Sequence, residues 1–158
     1  MIFIKNINWK RLLISILISL GTGVVAGILT RGSVSDYAQL DKPAFAPPGW
    51  LFPVVWGVLY ILMGISAYLI YESSCANRIN ALRIYGIQLA VNFLWPFIFF
   101  NLGLYVFAFV WILALWVLII AMMISFYRCD KIAAYLQIPY FLWVTFATVL
   151  TYAVANMN

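Results

Sequence analysis

Charge and histidine are scarce in this sequence. Only 8% of its 158 residues are charged, and histidine is absent. An ordinary soluble domain is about 25% charged, so this chain cannot cover a globule with polar groups. Without histidine, and with Cys75 and Cys129 as its two cysteines, it cannot assemble a zinc-type cluster. We therefore expect no metal and no required cofactor.

Hydrophobic residues make up 67% of the chain, which indicates an integral membrane protein. A transmembrane helix needs roughly 20 apolar residues, so the length allows about five helices and no separate soluble domain. The net charge of +5 does not indicate a nucleic-acid partner, because the sequence contains no basic run. The basic residues stand instead near the ends of the apolar runs, where they set membrane topology.

The apolar runs predict an all-α bundle of five transmembrane helices, which forms a single domain over residues 1–158. We place the helices at residues 12–29, 49–71, 81–100, 104–127 and 132–155. No charge occurs from Ile84 to Phe126, so we divide that run at its turn signal, residues 101–103. Asp130 is the expected N-cap of the fifth helix. The first run also resembles a signal peptide, although it is long for one.

The basic residues fall unevenly on the two sides of this bundle. Arg31 and Lys42 lie on one side. The other side holds seven basic residues: Lys5, Lys10, Arg11, Arg78, Arg83, Arg128 and Lys131. The positive-inside rule then places the N-terminus in the cytoplasm, most simply at a bacterial cytoplasmic membrane. Both cysteines would face a reducing compartment, so we expect no disulfide.

None of the five proposed spans contains Asp, Glu, Lys, Arg or His. Proton relays and carriers of charged substrates usually need such groups inside the membrane, and general acid–base catalysis needs them as well. The spans offer aromatic, amide and hydroxyl groups instead. That set of side chains suits a flat, apolar ligand with few polar edges.

The second and third helices carry the first candidate binding residues. Trp56 and Tyr60 are one turn apart and share a face, as do Asn92 and Trp95. Pro96 has no N–H and therefore frees the backbone carbonyl of Asn92. Asn92 would thus bring an amide and a carbonyl to one place. The alternative for a buried asparagine in a membrane helix is a bridge to a neighbouring helix.

The fifth helix carries a second set of candidates. Pro139 frees the carbonyl of Tyr135, and Tyr140 and Ala147 flank Trp143 on one face. Tryptophans near span ends usually anchor a protein at the membrane interface. That alternative suits Trp9 and Trp50 better than it suits Trp143.

The connection at residues 30–48 is the one long polar loop, and loops of this kind often carry function. Its prolines stiffen an extended approach to the second helix. This region and the third and fifth helices carry a series of motifs: Lys42-Pro43, Pro47-Pro48-Gly49-Trp50, Val55-Trp56, Leu59-Tyr60, Met63-Gly64, Gln88-Leu89, Asn92, Trp95, Pro139-Tyr140, Trp143, Phe146-Ala147 and Leu150. They resemble those of the translocator protein family, also called the tryptophan-rich sensory protein or peripheral-type benzodiazepine receptor family.

The resemblance implies a five-helix bundle, often dimeric, with a pocket beneath the first long loop that binds porphyrins and synthetic aromatic amides. The matching pocket residues are Tyr37, Trp56, Asn92, Trp95 and Trp143, with Pro43 and Ala147 as walls. The implied function is a membrane sensor or handler of tetrapyrroles. The alternatives are light-dependent degradation of porphyrin, with Trp56 and Trp143 as electron donors, and a lipid or sterol carrier.

The chain departs from the family pattern in three places. Ser35-Asp36 precede Tyr37 where the family has a tryptophan, and Thr151 stands where asparagine is common. The weak sterol motif at the end of the fifth helix lacks its basic residue. For assembly we expect a homodimer through the third helix, because Gly86 and Ala90 form a small-residue face one turn long.

Overall fold

The computed structural model describes residues 6–158, which form an antiparallel helical bundle. Its α-helices are α1 (Trp9–Val34), α2 (Leu51–Glu72), α3 (Arg78–Pro96), α4 (Tyr105–Cys129), α5 (Lys131–Tyr135) and α6 (Ile138–Met157). A short 3₁₀ helix, Ser35–Gln39, follows α1, and a π-helical turn, Phe97–Asn101, extends α3. The all-α prediction is confirmed for the described residues.

Five helical segments of 22 to 27 residues are long and apolar enough to cross a membrane. The fifth segment combines α5 and α6, so the structure divides the single helix expected at residues 132–155. Pro139 cannot donate a backbone hydrogen bond to Tyr135, and it lies in the first turn of α6, where that N–H has no helical partner anyway. Asp130 caps α5 as predicted, accepting hydrogen bonds from the backbone N–H groups of Ile132 (2.9 Å) and Ala133 (3.2 Å).

The break between the third and fourth spans lies where the turn signal placed it. After Pro96 the chain widens into a π-helical turn, closed by the Leu102 N–H donating to the Phe97 carbonyl at 2.9 Å. Gly103 follows with φ +62°, a left-handed conformation that favours glycine. This tight turn makes α3 and α4 an antiparallel hairpin.

Close backbone packing joins α1 to α2. A Cβ added at Gly64 would lie 2.5 Å from the Ile16 Cα, so only glycine fits. The Ser15 hydroxyl donates to the Gly64 carbonyl (2.7 Å), and the Ser19 hydroxyl donates to the Tyr60 carbonyl (2.6 Å). Small residues and interhelical hydrogen bonds replace the hydrophobic driving force that lipid cannot supply.

The core lies where α2, α3, α4 and α6 face one another. Its fully buried side chains include Met63, Ile70, Ile112, Leu115, Ile119, Met122, Phe126, Tyr140 and Val144. Large apolar side chains are also exposed on the outer faces, among them Leu13, Leu17, Ile28, Val106, Val117 and Leu142. In a membrane these faces contact lipid.

The start of α1, the end of α2 and the end of α4 lie together at one end of the bundle. An ion pair joins Arg11 to Glu72 (3.0 Å) there. Six of the seven basic residues counted for this side stand on these elements or on the starts of α3 and α5; Lys5 lies outside the described residues. We call this region the basic end.

The prediction that the cysteines stay unpaired is wrong. Cys75 and Cys129 form a disulfide at the basic end, with their Cα atoms 5.2 Å apart. The prediction considered only the redox state of a compartment. Pairing also depends on where loops meet, and the α2–α3 loop lies against the end of α4.

Candidate functional site

A cavity of about 740 Å³ opens at the end of the bundle opposite the basic end. Its size is typical of a small-molecule site. It is bounded by the second half of α1, the first half of α2, the end of α3 and its π-helical turn, the first half of α4, and α6. Residues 42 and 46–49 of the long loop also line it.

The structure brings six of the seven predicted binding residues to this one cavity. They are Tyr37, Trp56, Asn92, Trp95, Trp143 and Ala147. Pro43 is not among the lining residues. Its carbonyl accepts a hydrogen bond from the Ala46 N–H at 3.0 Å, so it forms a turn that precedes the lining residues Ala46 and Pro47.

Tyr37 and Lys42 form the polar part of the loop wall. The Lys42 ammonium group donates to the Tyr37 carbonyl at 2.8 Å and lies 4.5 Å from the centre of the Tyr37 ring. Among the described lining residues, Lys42 is the one with a charge. Burial raises the pKa of the Tyr37 phenol, so this group remains neutral at physiological pH. Tyr37 packs edge-on against Phe52 and Phe100 at 5.4 and 6.3 Å.

A chain of side-chain hydrogen bonds underlies the cavity and joins α2, α3 and α6. The Tyr60 hydroxyl donates to Asn92 Oδ1 (2.5 Å), and Asn92 Nδ2 donates to the Tyr140 hydroxyl (2.8 Å). The Tyr140 hydroxyl donates in turn to Gln88 Oε1 (2.6 Å). Tyr60 and Asn92 also line the cavity. Asn92 therefore bridges helices, which is the alternative that its sequence position left open.

The three lining tryptophans have different environments. Trp56 contacts the rings of Tyr60 (5.6 Å) and Tyr140 (6.2 Å). Trp95 donates its indole N–H to the Ala108 carbonyl at 3.2 Å, which ties α3 to α4. Trp143 packs against Phe52 and Phe146, and its indole nitrogen is buried without a hydrogen-bond partner among the described residues.

Several lining residues were not predicted from the sequence. Phe52, Phe99 and Phe100 contribute aromatic surface, and the latter two belong to the π-helical turn. The turn signal at residues 101–103 predicted a break close to Phe99 and Phe100 but not the direction of their side chains. Gly27 and Gly57 also line the cavity, and a Cβ at either would meet no atom within 4 Å.

The described residues hold no group of three or more His, Cys, Asp or Glu side chains that could bind a metal ion. The cavity wall is mostly aromatic and aliphatic, with Lys42, Asn92 and a few hydroxyl groups as its polar points. Such a wall can bind a flat apolar molecule by stacking and can contact a limited number of polar substituents.

Comparisons with known proteins agree with this geometry. The TspO/MBR family model matches residues 15–157. The Tryptophan-rich protein TspO of Archaeoglobus fulgidus is 36% identical, covering 96% of this chain and 99% of that protein. The Tryptophan-rich sensory protein of Cereibacter sphaeroides is 32% identical, with coverages of 97% and 94%. The Translocator protein of Homo sapiens is 34% identical, with coverages of 89% and 85%.

Proposed function

The chain belongs to the TspO/MBR family, and from this premise we propose that its cavity binds porphyrins and related flat hydrophobic molecules, so that the protein senses or handles tetrapyrroles in the membrane. The observation that carries the proposal is that six of the seven residues expected to form the pocket line one cavity of about 740 Å³. Three of them are tryptophans, which offer large flat surfaces for stacking.

The polar groups of the cavity suit a macrocycle with acidic substituents. Lys42 provides a positive charge at the loop side of the cavity, where it would neutralise a carboxylate. Both polar atoms of the Asn92 side chain already bond to tyrosines. We therefore assign ligand stacking to Trp56 and Trp143 and the charged contact to Lys42. Asn92 would hold the cavity in shape.

Fluorescence quenching of the purified protein by protoporphyrin tests this proposal. Trp56→Phe and Trp143→Phe should each weaken binding about two- to tenfold, because an aromatic contact contributes about 0.5–1.5 kcal/mol beyond buried area. Trp9→Phe is the matched control, since Trp9 is 70% exposed and far from the cavity. Trp116→Phe controls for a tryptophan whose indole bonds to Thr145 at 2.8 Å instead of lining the cavity. Equal losses in all four variants would place the ligand elsewhere.

The same titration also tests the charged contact at Lys42. Lys42→Gln should weaken binding of protoporphyrin several-fold and leave the affinity for its uncharged dimethyl ester unchanged. A similar loss for both ligands would mean that Lys42 only supports the loop. If a sterol binds to the purified protein and porphyrin does not, the lipid-carrier alternative is favoured.

We propose light-dependent degradation of bound porphyrin as the second candidate function. It is favoured by the contact of Trp56 with the rings of Tyr60 and Tyr140, since indole and phenol side chains are readily oxidised. Absorbance of the bound porphyrin should then fall in light and persist in darkness. Trp56→Phe should slow that loss more than it weakens binding. Equal loss for porphyrin free in detergent would exclude this activity.

A further inference from the structure

The Cys75–Cys129 disulfide has no part in the cavity or in its hydrogen-bond network. Cys75 lies in the loop between α2 and α3, Cys129 is the last residue of α4, and their Cα atoms are 5.2 Å apart. Both residues are partly exposed, and Cys129 also packs against the core. The bond closes the open end of the α3–α4 hairpin, whose other end is the turn at Gly103.

The Arg78 side chain is held against the loop that contains Cys75. The Arg78 backbone N–H donates to the Cys75 carbonyl at 3.2 Å. The Arg78 guanidinium donates to the carbonyls of Tyr71 (2.9 Å) and Ser73 (3.4 Å). Cys75 also stands just ahead of α3, which begins at Arg78. Arginine and a helix N-terminus both stabilise a thiolate.

The surroundings of Cys129 are less favourable to a thiolate. Cys129 ends α4 and precedes Asp130, so it combines the negative end of a helix with a neighbouring carboxylate, although Arg128 lies on its other side. Once the bond is reduced, Cys75 should therefore be the better nucleophile of the pair, and Cys129 the thiol that completes the bond.

The location of the bond indicates what the two unequal thiols could do. Basic residues gather at this end of the bundle, and such ends face the cytoplasm, where disulfides that form are usually transient and redox-sensing. We propose that Cys75 and Cys129 are a reversible redox site that exchanges with a low-molecular-weight thiol–disulfide couple of the glutathione type. The site is separate from the proposed porphyrin function and rests on the cytoplasmic orientation of the basic end.

The exchange balances in two steps. The Cys75 thiolate attacks an oxidised disulfide RS–SR, forming Cys75–S–S–R and releasing RS⁻. Cys129, after losing its proton to water, attacks the Cys75 sulfur, forming the protein disulfide and releasing a second RS⁻. Two protein thiols are oxidised and one small disulfide is reduced to two thiols. An excess of the small thiol drives both steps backwards.

The purified full-length protein in detergent tests the chemistry. It is equilibrated at defined ratios of reduced to oxidised glutathione and quenched with acid. Free thiols are then alkylated with a maleimide large enough for each adduct to shift the protein on a gel. We expect two adducts under reducing conditions, none under oxidising conditions, and full return when the ratio is reversed. Reduction should also lower the unfolding midpoint by several degrees, because a cross-link that closes a long loop restrains the unfolded chain. A bond that does not interconvert would overturn the proposal.

Single variants test the roles of the two thiols. Cys75 in the Cys129→Ser variant should form a mixed disulfide with oxidised glutathione several-fold faster than Cys129 in the Cys75→Ser variant. Adding Arg78→Gln to Cys129→Ser should slow Cys75, whereas Arg83→Gln, on the same helix but bonded to Asn80, should not. Equal rates for the two thiols would refute the assignment of Cys75 as the nucleophile.

Acid trapping of whole cells distinguishes a redox site from a permanent cross-link. Untreated cells should give two adducts, and cells treated with the permeant oxidant diamide should give none, with recovery after the oxidant is removed. No adducts in untreated cells would show a permanent structural disulfide. Two adducts after the oxidant would show that the pair does not respond. Either result would overturn the proposal.

Discussion

Asn92 illustrates how the place of a side chain can be predicted from the sequence while its partners in the fold cannot. Its position on α3, one turn before Pro96, predicted an amide at the cavity, and Asn92 does line the cavity. However, its oxygen and its nitrogen already bond to Tyr60 and Tyr140. Those partners come from two other helices, and a sequence pattern on one helix contains no information about them.

Asn92→Leu should therefore reduce stability as well as porphyrin affinity. The variant leaves the Tyr60 hydroxyl buried without its acceptor, which typically costs about 1–3 kcal/mol, or about 0.6 kcal/mol if the membrane average applies. Thermal unfolding in detergent measures the loss. Tyr60→Phe removes the orphaned hydroxyl, so the double variant should lose less than the sum of the two single changes. An Asn92→Leu protein as stable as wild type would mean that the network does not stabilise the bundle.

At the scale of the element, two glycines can have different roles because their surroundings differ. Gly64 meets the α1 backbone at Ile16, whereas a Cβ at Gly21 would meet nothing within 4 Å. Gly64→Ala should destabilise the protein by about 1–3 kcal/mol, because the backbone of α1 must move. Gly21→Ala is the matched control and should be neutral or slightly stabilising, since alanine favours helix. Unfolding midpoints of the two variants would be compared, and equal midpoints would contradict this account of the α1–α2 contact.

The exposed face of α3 is where we predict the homodimer. Gly86 and Ala90 are both exposed, and a Cβ at Gly86 would meet no atom of the same chain within 4 Å. Gly86→Leu should keep the fold and lower the dimer fraction in detergent, because close helix approach drives association in membranes. Light scattering or cross-linking would measure that fraction. Gly21→Leu is the control, because Gly21 lies on α1 away from the cavity and an added Cβ there would meet no atom within 4 Å. An unchanged dimer fraction in Gly86→Leu would exclude this face.

The elements were predictable to the extent that their signals are local. Hydrophobic length identified five spans, Gly103 identified the tight turn, and Asp130 identified a cap. The division between α5 and α6 was missed, because Pro139 is compatible both with a bent helix and with the first turn of a new one. The π-helical turn after Pro96 was missed for a similar reason, because a proline is compatible with a kink, a break or a locally wider turn.

At the scale of the whole molecule, the cavity and the disulfide depended on different kinds of information. Six of the cavity residues could be named from their order along the chain, since the motifs of the family occur in the same order here. The disulfide was missed because it needs two distant segments, at Cys75 and Cys129, to meet in space. The redox state of a compartment does not show whether two segments lie close enough to form a disulfide.

The orientation of the whole bundle in the membrane is the last prediction. Six described basic residues at one end and two at the other place the basic end in the cytoplasm. Thiol labelling tests this. The reactivity of the natural cysteines changes with their redox state, so the background is the Cys75→Ser/Cys129→Ser variant. In intact cells an impermeant maleimide should label Gln39→Cys, in the long loop, and should label Ser74→Cys only after the membrane is permeabilised. Both positions are exposed, so differences in labelling report the side of the membrane. The reverse pattern would invert the topology and place the disulfide in an oxidising compartment.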